Sequence, residues 1–145
     1  MPRPGIILIL PFIAASFLPV PIASTSPGKD EHAALWQVVQ SAEDILGGKN
    51  IGQARNTITK GASLIYGTRF ENLRRVVGGE VAGCSLADTS YHGVMIQAET
   101  NPSEEMGFII LKTVTADSGK VRYHTLVVEK DSTGQYRIHH WHTDN

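Results

Sequence analysis

The residues best suited to chemistry lie at the end of the chain, where "YRIHHWHTDN" (136–145) holds three of its six histidines. Imidazole titrates near neutral pH, so a histidine can act as a general base, a hydrogen-bonding group or a metal ligand. The segment has the composition of a strand, along which side chains alternate between two faces. Alternation predicts that His140 and His142 share one face with Ile138. Trp141 is then expected on the opposite face, at a dimer contact or over the sheet edge.

A metal site needs more than these two histidines. His140 and His142 are two positions apart on a strand and can both reach one ion, but zinc takes three or four ligands. No further ligand stands at a legible spacing, and Cys84 and Asp88 could join only through the fold. We therefore predict no metal site and no cofactor. Three roles stay open for the histidines: a general base, a hydrogen-bonding group in a pocket, or a solvated strand end.

Helices are expected to precede the strand that carries these histidines. Apolar residues at spacings of three and four over 30–46 predict an amphipathic helix, and the glycine pair at 47–48 ends it. A shorter helix is expected over 50–58, followed by the short strand "ASLIYG". Thr68 and Glu71 have capping-box spacing, which predicts a third helix in "TRFENLRRVVGG". The apolar face of that helix would comprise Phe70, Leu73 and Val77.

The second half of the sequence has the composition of β-strands. Long runs rich in β-branched and aromatic residues alternate with short polar turns, which is typical of an antiparallel meander. The strands are expected over 91–99, 106–115, 121–130 and 136–142. Helices followed by such a meander predict an α+β fold, in which the N-terminal helices pack on one face of a curved antiparallel sheet.

The first residues differ in composition from the rest of the chain. Arg3 is followed by an uncharged, largely apolar run over 6–23 and then by small polar residues, which is the layout of a secretory signal. Three prolines interrupt the run, whereas a transmembrane helix needs about 20 unbroken apolar residues. We predict a signal peptide over 1–23, a short linker over 24–29 and a single domain over 30–145. Cleavage would leave a secreted or periplasmic chain without a stable membrane anchor, and an uncleaved anchor is the alternative.

Charge and cysteine content limit the classes of function. The chain has 13 basic and 14 acidic residues. Only Arg3 lies in the signal, so the mature chain keeps 12 basic residues against 14, a net charge of −2. Without a basic excess, nucleic acid is not an expected partner. Cys84 is the one cysteine and cannot form an internal disulfide, so the exported domain must be stabilised by packing.

Two segments of the sequence carry a resemblance to a known superfamily. The segments "ASLIYG…TRFENLRRVVGGE" and "GQYRIHHWHTD" resemble the nuclear transport factor 2-like (SnoaL-like) superfamily, whose fold is a cystatin-like cone. In the second segment, Gly134, Arg137, Ile138 and His140 occupy places that match the superfamily, while Tyr136 stands where tryptophan is usual. The resemblance implies a cone with a cavity between the first helices and the sheet. It also turns the Ile138 face inward, which makes His140 and His142 candidates for the interior of the cone.

The resemblance allows two classes of function, because the superfamily contains cofactor-independent enzymes as well as binding or oligomerising domains. A third possibility is a purely structural or inhibitory protein of cystatin-like outline. We favour a module that binds a small hydrophobic or amphipathic molecule and forms a homodimer through its sheet. The alternative is a lyase, isomerase or cyclase that uses a pocket histidine as general base. The candidate ligand-binding residues are Trp36, Tyr66, His92, His124, His140 and His142. The candidate catalytic residues are His140, His124 and Asp88.

Overall fold

The computed structural model describes residues 29–88, 90–101 and 105–144. The predicted signal peptide and nearly all of the predicted linker lie outside these residues. The elements are α1 (Lys29–Gly47), α2 (Ile51–Ala54), a 3-10 turn (Arg55–Thr57), β1 (Ile58–Tyr66), β2 (Arg69–Asn72), α3 (Leu73–Val77), β3 (Tyr91–Asn101), β4 (Met106–Thr115), β5 (Val121–Lys130) and β6 (Tyr136–Thr143). No helix in the described part of the chain is long and apolar enough to cross a membrane.

The six strands form one sheet in the order β2-β1-β6-β5-β4-β3. Strands β3 to β6 are consecutive antiparallel neighbours, so the predicted meander is confirmed. The sheet as a whole is mixed, because β1 lies parallel to β6. It is curved and unclosed, with helices against one face, and the predicted α+β cone is confirmed.

Helix α1 supplies the helical side of the core. The predicted apolar stripe is buried, and it meets inward-facing residues of the central strands. The buried members of the stripe are Leu35, Val38, Val39, Ala42, Ile45 and Leu46. Trp36 points away from the core and is 38% exposed. The hydrophobic period therefore decides which face of the helix packs, and Trp36 lies outside that face.

Gly107 allows α1 to approach the sheet closely. A Cβ at this position would lie 2.8 Å from the Glu99 carbonyl oxygen, 3.0 Å from Cγ2 of Val128 and 3.5 Å from Cδ1 of Leu35. We expect Gly107→Ala to lower the free energy of unfolding by about 1–3 kcal/mol, because overpacking a filled core forces its neighbours apart. Urea denaturation measures the change. Gly61→Ala is the matched control, since a Cβ there meets nothing within 4 Å. Equal stabilities of the two variants would contradict the prediction.

The predicted capping box at Thr68 is wrong, because the chain forms a hairpin there. Tyr66 pairs with Arg69 across a two-residue turn in which Gly67 has a φ of +60°, and β2 follows. Such turns match the twist of antiparallel strands. Helix α3 therefore begins later, with Asn72 as its N-cap, whose side chain accepts a hydrogen bond from a backbone N–H at 3.1 Å. Phe70 lies on β2 and is 72% exposed instead of facing the core.

The second helix is also shorter than predicted. It is α-helical only over Ile51–Ala54, continues as a 3-10 turn over Arg55–Thr57, and gives way to β1 at Ile58. Strand β1 is therefore nine residues long, whereas a short strand was expected. Ile58 is buried as a strand residue, next to its β6 partner Ile138, and so contributes to the core from the sheet.

A β-bulge in β6 reverses the predicted orientation of the last histidines. Ile138 pairs with Val128 and His140 pairs with Val127, so His139 is an extra residue on β6. An inserted residue shifts the alternation by one. After the bulge Trp141 faces the core and is fully buried, whereas the residues on either side of it face outward. The predicted interior positions of His140 and His142 are therefore wrong, as is the predicted position of Trp141 at a dimer contact or over the sheet edge.

Candidate functional site

A cleft of about 550 Å³ lies on the helical side of the described part of the molecule. The C-terminal end of α1, α2, α3 and the segment 79–87 surround it, and Tyr66 closes the side where β1 ends. Its apolar wall consists of Ile45, Ile51, Val76, Val77, Val81 and Leu86. The cleft is partly open to solvent, and its size suits a small organic molecule.

The shape of the cleft depends on the irregular segment after α3. Gly79 and Gly83 have φ values of +75° and +70°, a conformation that residues with a Cβ rarely adopt. Arg69 ties the segment to β2, because its Nη1 atom donates hydrogen bonds to the carbonyl oxygens of Ala82 at 3.2 Å and Gly83 at 3.1 Å. Its Nη2 atom pairs with Glu71 at 2.8 Å. The segment is therefore anchored at its middle and forms a defined wall.

The polar groups of the cleft are neutral. Tyr66, Cys84 and Ser85 line it, and no histidine, aspartate or glutamate is found among the described residues of its wall. Burial raises the pKa of the Cys84 thiol, and although Arg69 lowers it in part, the thiol stays protonated at neutral pH. The cleft can thus offer hydrogen bonds and apolar contact, but the described residues of its wall include no histidine or carboxylate to act as a base at neutral pH.

His124 lies in the core of the cone instead of in the cleft. Its Nδ1 atom accepts a hydrogen bond from Nε1 of Trp141 at 3.2 Å, so the neutral ring carries its proton on Nε2. That nitrogen lies 3.2 Å from Oγ1 of Thr113. Burial, with a smaller contribution from Arg122, lowers the pKa of His124 to about 4. His124 is therefore a neutral core residue whose two ring nitrogens are both occupied.

Two of the predicted catalytic residues meet at a second, much smaller cavity of about 10 Å³. His124 and Asp88 both line it, together with Tyr91 and Arg122. The Asp88 carboxylate accepts hydrogen bonds from the backbone N–H and hydroxyl of Ser90 at 2.8 and 2.6 Å, which lowers its pKa. The cavity is large enough for about one water molecule. As it stands, it cannot hold a substrate.

The other predicted site residues lie away from the cleft. His140 is on the outer face of the sheet, where its Nδ1 atom lies 2.7 Å from Oγ of Ser63, and His142 is on the same face. His92 is exposed on β3, and Trp36 is exposed on α1. Tyr66 is the predicted ligand-binding residue that the structure places at the cleft. No three His, Cys, Asp or Glu side chains in the described part of the chain could together hold a metal ion.

Sequence reasoning missed most of the cleft. Cys84, Ser85 and the preceding glycines lie in "GGEVAGCSLA". Its first two glycines are predicted to end the third helix, and the rest is assigned to the strand-forming half of the chain. The sequence feature that could have revealed this part of the cleft is the glycine content, because glycines in such a stretch indicate turns more than strands. The apolar residues Val81 and Leu86 between them indicate a segment that packs, and together these features are typical of an ordered loop.

Comparison with known proteins yields structural likeness alone. The sequence matches no protein-family model and no curated protein at a significant level. An NTF2-like protein of unknown function from Methylobacillus flagellatus superimposes with a TM-score of 0.63 at 6% identity, covering 82% of this chain and 94% of its own. A cystatin-like fold protein from Burkholderia xenovorans gives 0.61 at 11% identity, covering 80% and 92%. A ketosteroid isomerase-like protein from Erwinia carotovora gives 0.57 at 14% identity, covering 81% and 97%.

The chain has the NTF2-like fold. This confirms the resemblance inferred from the two sequence segments, and the low identities limit the likeness to the fold. Within its NTF2-like cone, Trp141 and the inward residues of the central strands fill the space beneath α1. The larger open volume is displaced toward the helices and the segment that follows α3.

Proposed function

We propose that this NTF2-like chain binds a small, uncharged hydrophobic or amphipathic molecule in the cleft. The observation that carries the proposal is a cavity of about 550 Å³ with an apolar wall and only neutral polar groups. Such a cavity favours ligands that bury apolar surface, and a few hydrogen-bonding groups fix their orientation. Tyr66 and Ser85 provide those groups. Charged ligands are disfavoured, since the described residues that line the cleft include no charged side chain.

Binding is favoured over the lyase, isomerase or cyclase alternative. That chemistry needs a base positioned against the substrate. In the described chain the cleft wall has no histidine or carboxylate, and His124 is buried elsewhere with both ring nitrogens occupied. The ketosteroid isomerase-like neighbour supports the same fold and, at 14% identity, does not supply the missing base.

A variant in which a large side chain fills part of the cleft tests the proposal. Ala87 is exposed and lines the cleft, so Ala87→Trp should occupy part of the ligand volume without disturbing the core. With the neutral fluorophore N-phenyl-1-naphthylamine as probe, we expect saturable binding to the unmodified protein and binding at least about tenfold weaker in the variant. Ala116→Trp, exposed in the turn between β4 and β5, is the matched control. Equal affinities in the two variants, or no binding by the unmodified protein, would refute the proposal.

We propose further that two copies associate through the outer face of the sheet. Exposed apolar side chains recur on this face, including Phe108 at 49% and Tyr123 at 47% exposure. They belong to rows that cross the strands, such as Phe108–Val127–His140. Lys112 and Glu99 on the same face provide opposite charges that a second copy could pair. A face with several exposed apolar side chains and charges of both signs suits self-association better than permanent exposure to water.

Sedimentation equilibrium tests this association. We expect the unmodified protein to be a dimer and Phe108→Asp to raise the dissociation constant at least about tenfold, because the new carboxylate would be buried without a partner. Gln40→Asp adds the same charge at an exposed position of α1 and should leave the dimer unchanged. A monomeric unmodified protein, or a Phe108→Asp dimer of unchanged stability, would show that this face is not the interface.

We also propose that the domain is exported. The support is the sequence pattern of residues 1–23, in which Arg3 precedes an uncharged apolar run and then small residues. Intact-mass measurement on the chain recovered outside the cytoplasm tests the idea. A product that begins near residue 24 supports it, and a product that keeps Met1 in the cytoplasm opposes it.

A further inference from the structure

The β-bulge in β6 brings three histidines to the outer face of the sheet. Ile138 and Trp141 are both fully buried, and they enclose two residues instead of the one that strict alternation allows. His139 is exposed and His140 is partly exposed, so both side chains lie away from the core. His142 follows Trp141 and is again partly exposed. Three imidazoles therefore lie on one side of β6.

A hydrogen bond to β1 orients the His140 ring. Its Nδ1 atom lies 2.7 Å from Oγ of Ser63, the residue beside it on the parallel neighbouring strand. In the neutral ring Nδ1–H can donate to this hydroxyl oxygen, which leaves the lone pair of Nε2 available. Metal-binding histidines usually donate their second ring nitrogen in this way. Burial, followed by His142 and His139, lowers the pKa of His140, so its ring is neutral near pH 7.

His142 can act as a second ligand beside His140. The two residues are two positions apart on one strand, so their Cα atoms are separated by about 6–7 Å. Imidazoles at this spacing can reach one ion from the same face of the sheet. The neighbours of His142 across the sheet are Ile65 on β1 and Thr125 on β5, and neither carries a charge.

One chain offers only these two ligands. The Nε2 atom of His139 lies 3.9 Å from a carboxylate oxygen of Glu129, which places that ring beside Glu129. Within the described ranges, no three His, Cys, Asp or Glu side chains could hold one ion together. Zinc takes four ligands in a closed structural site. A complete site therefore needs further ligands from another molecule.

A second copy of the chain can supply them. Strand β6 is the third of six in the sheet, so the histidine pair lies near the middle of the outer face. His140 belongs to the same row as Val127 and Phe108, which the proposed association buries. A symmetric pair of chains contains each residue twice, which gives four imidazoles. Stacked sheets lie about 10 Å apart. Opposed histidines joined through zinc, with Zn–N distances of about 2.1 Å, span a gap of that order.

We propose that a zinc ion binds between two copies of the chain, coordinated by His140 and His142 of each copy. The four neutral imidazoles form a tetrahedral site, and Ser63 acts as a positioning residue because it holds the His140 ring. The site rests on the association proposed above for the outer face. Zinc strengthens that association, since an ion that binds the dimer in preference to the monomer stabilises the dimer by mass action.

Zinc titration of the untagged full-length protein, after removal of metal with a chelator, tests the site. Isothermal titration calorimetry should give one zinc ion per two chains. Sedimentation equilibrium with zinc should give a dimer dissociation constant at least about tenfold lower than without it. His142→Gln should abolish both effects. His139→Gln is the matched control, because it removes an imidazole from the same face and should keep both. If the two variants behaved alike, the assigned ligands would be wrong.

Ser63→Ala provides a second test if His142→Gln does not fold. It removes no zinc ligand and leaves the His140 ring without its partner at Nδ1. Loss of such a partner lowers metal affinity by about ten- to a hundredfold. We expect a decrease of this size in zinc affinity, with no change in the dimer that forms without metal. An unchanged zinc affinity would refute the site built on the hydrogen bond between Ser63 and His140.

The measurements distinguish failure of the zinc site from failure of the proposed association. A dimer that forms without zinc and is not tightened by it would overturn the zinc site and leave the association intact. A chain that is monomeric without zinc and dimeric with it would support the zinc site and show that apolar contact alone does not hold the dimer. One zinc ion bound per monomer, or no saturable binding, would overturn the shared site.

Discussion

Replacing Trp141 with alanine is expected to lower the free energy of unfolding by about 3–5 kcal/mol. The indole is fully buried on the inner face of β6, and it lies edge-on to His124 with ring centroids 5.8 Å apart. Truncation leaves a large cavity beneath α1. It also removes the hydrogen bond that the indole N–H donates to the His124 ring, which leaves a buried acceptor without its partner.

Two further tryptophan variants separate these contributions. Trp141→Phe keeps a buried aromatic ring but loses the N–H donor and part of the packed volume, so we expect a smaller cost of about 1–3 kcal/mol. Trp36→Ala, at a residue that is 38% exposed, should cost less than about 1 kcal/mol. Guanidinium denaturation followed by far-UV circular dichroism measures all three. If Trp141→Ala were no less stable than Trp36→Ala, the indole would not be the centre of the core.

Acidification is expected to destabilise the domain through His124. Its pKa is about 4 in the folded protein and near 6.5 when unfolded, so below pH 6.5 the unfolded chain binds the proton more readily. The stability that the neutral ring provides is complete above pH 6.5 and declines as the pH falls toward 4. The expected loss from this residue alone is about 2–3 kcal/mol by pH 4.5.

The pH dependence can be assigned by comparing two variants. His124→Gln cannot titrate, so between pH 7.5 and 4.5 it should lose about 2–3 kcal/mol less stability than the unmodified protein. The difference between the two proteins cancels other groups, including Glu43, whose pKa is raised by burial. His92→Gln, at an exposed position, should keep the full pH dependence. A His124→Gln profile parallel to that of the unmodified protein would show that His124 is not the group responsible.

Neither of the two cavities described above is lined by His140 or His142, the histidines that the sequence singles out. The cleft offers volume without charge, and the small cavity offers charged and titratable groups without volume. A ligand in the cleft would contact Leu86, which also bounds the small cavity. Leu86 is therefore a residue that the walls of the two spaces share.

The sequence by itself determined the long first helix and the four-stranded meander. Apolar residues recur every three to four positions in α1 and every two positions in the strands, which distinguishes helix from strand. The same spacings indicate which side chains are buried. Turn residues then set the boundaries of the last four strands, which agree with prediction to within two residues. These features depend on neighbours in the chain, and for that reason a single sequence was enough to predict an α+β fold, whereas the cone shape was implied by the superfamily resemblance.

Only the tertiary structure decided where the candidate site residues point. One extra residue in β6, His139, reverses the alternation, which buries Trp141 and turns His140 outward. A bulge is fixed by pairing with a strand elsewhere in the chain, so no local pattern reveals it. The cleft likewise forms where α1, α3 and the segment 79–87 meet, and Arg69 holds that segment through hydrogen bonds to its backbone. Such contacts join residues far apart in sequence, and spacing along the chain carries no information about them.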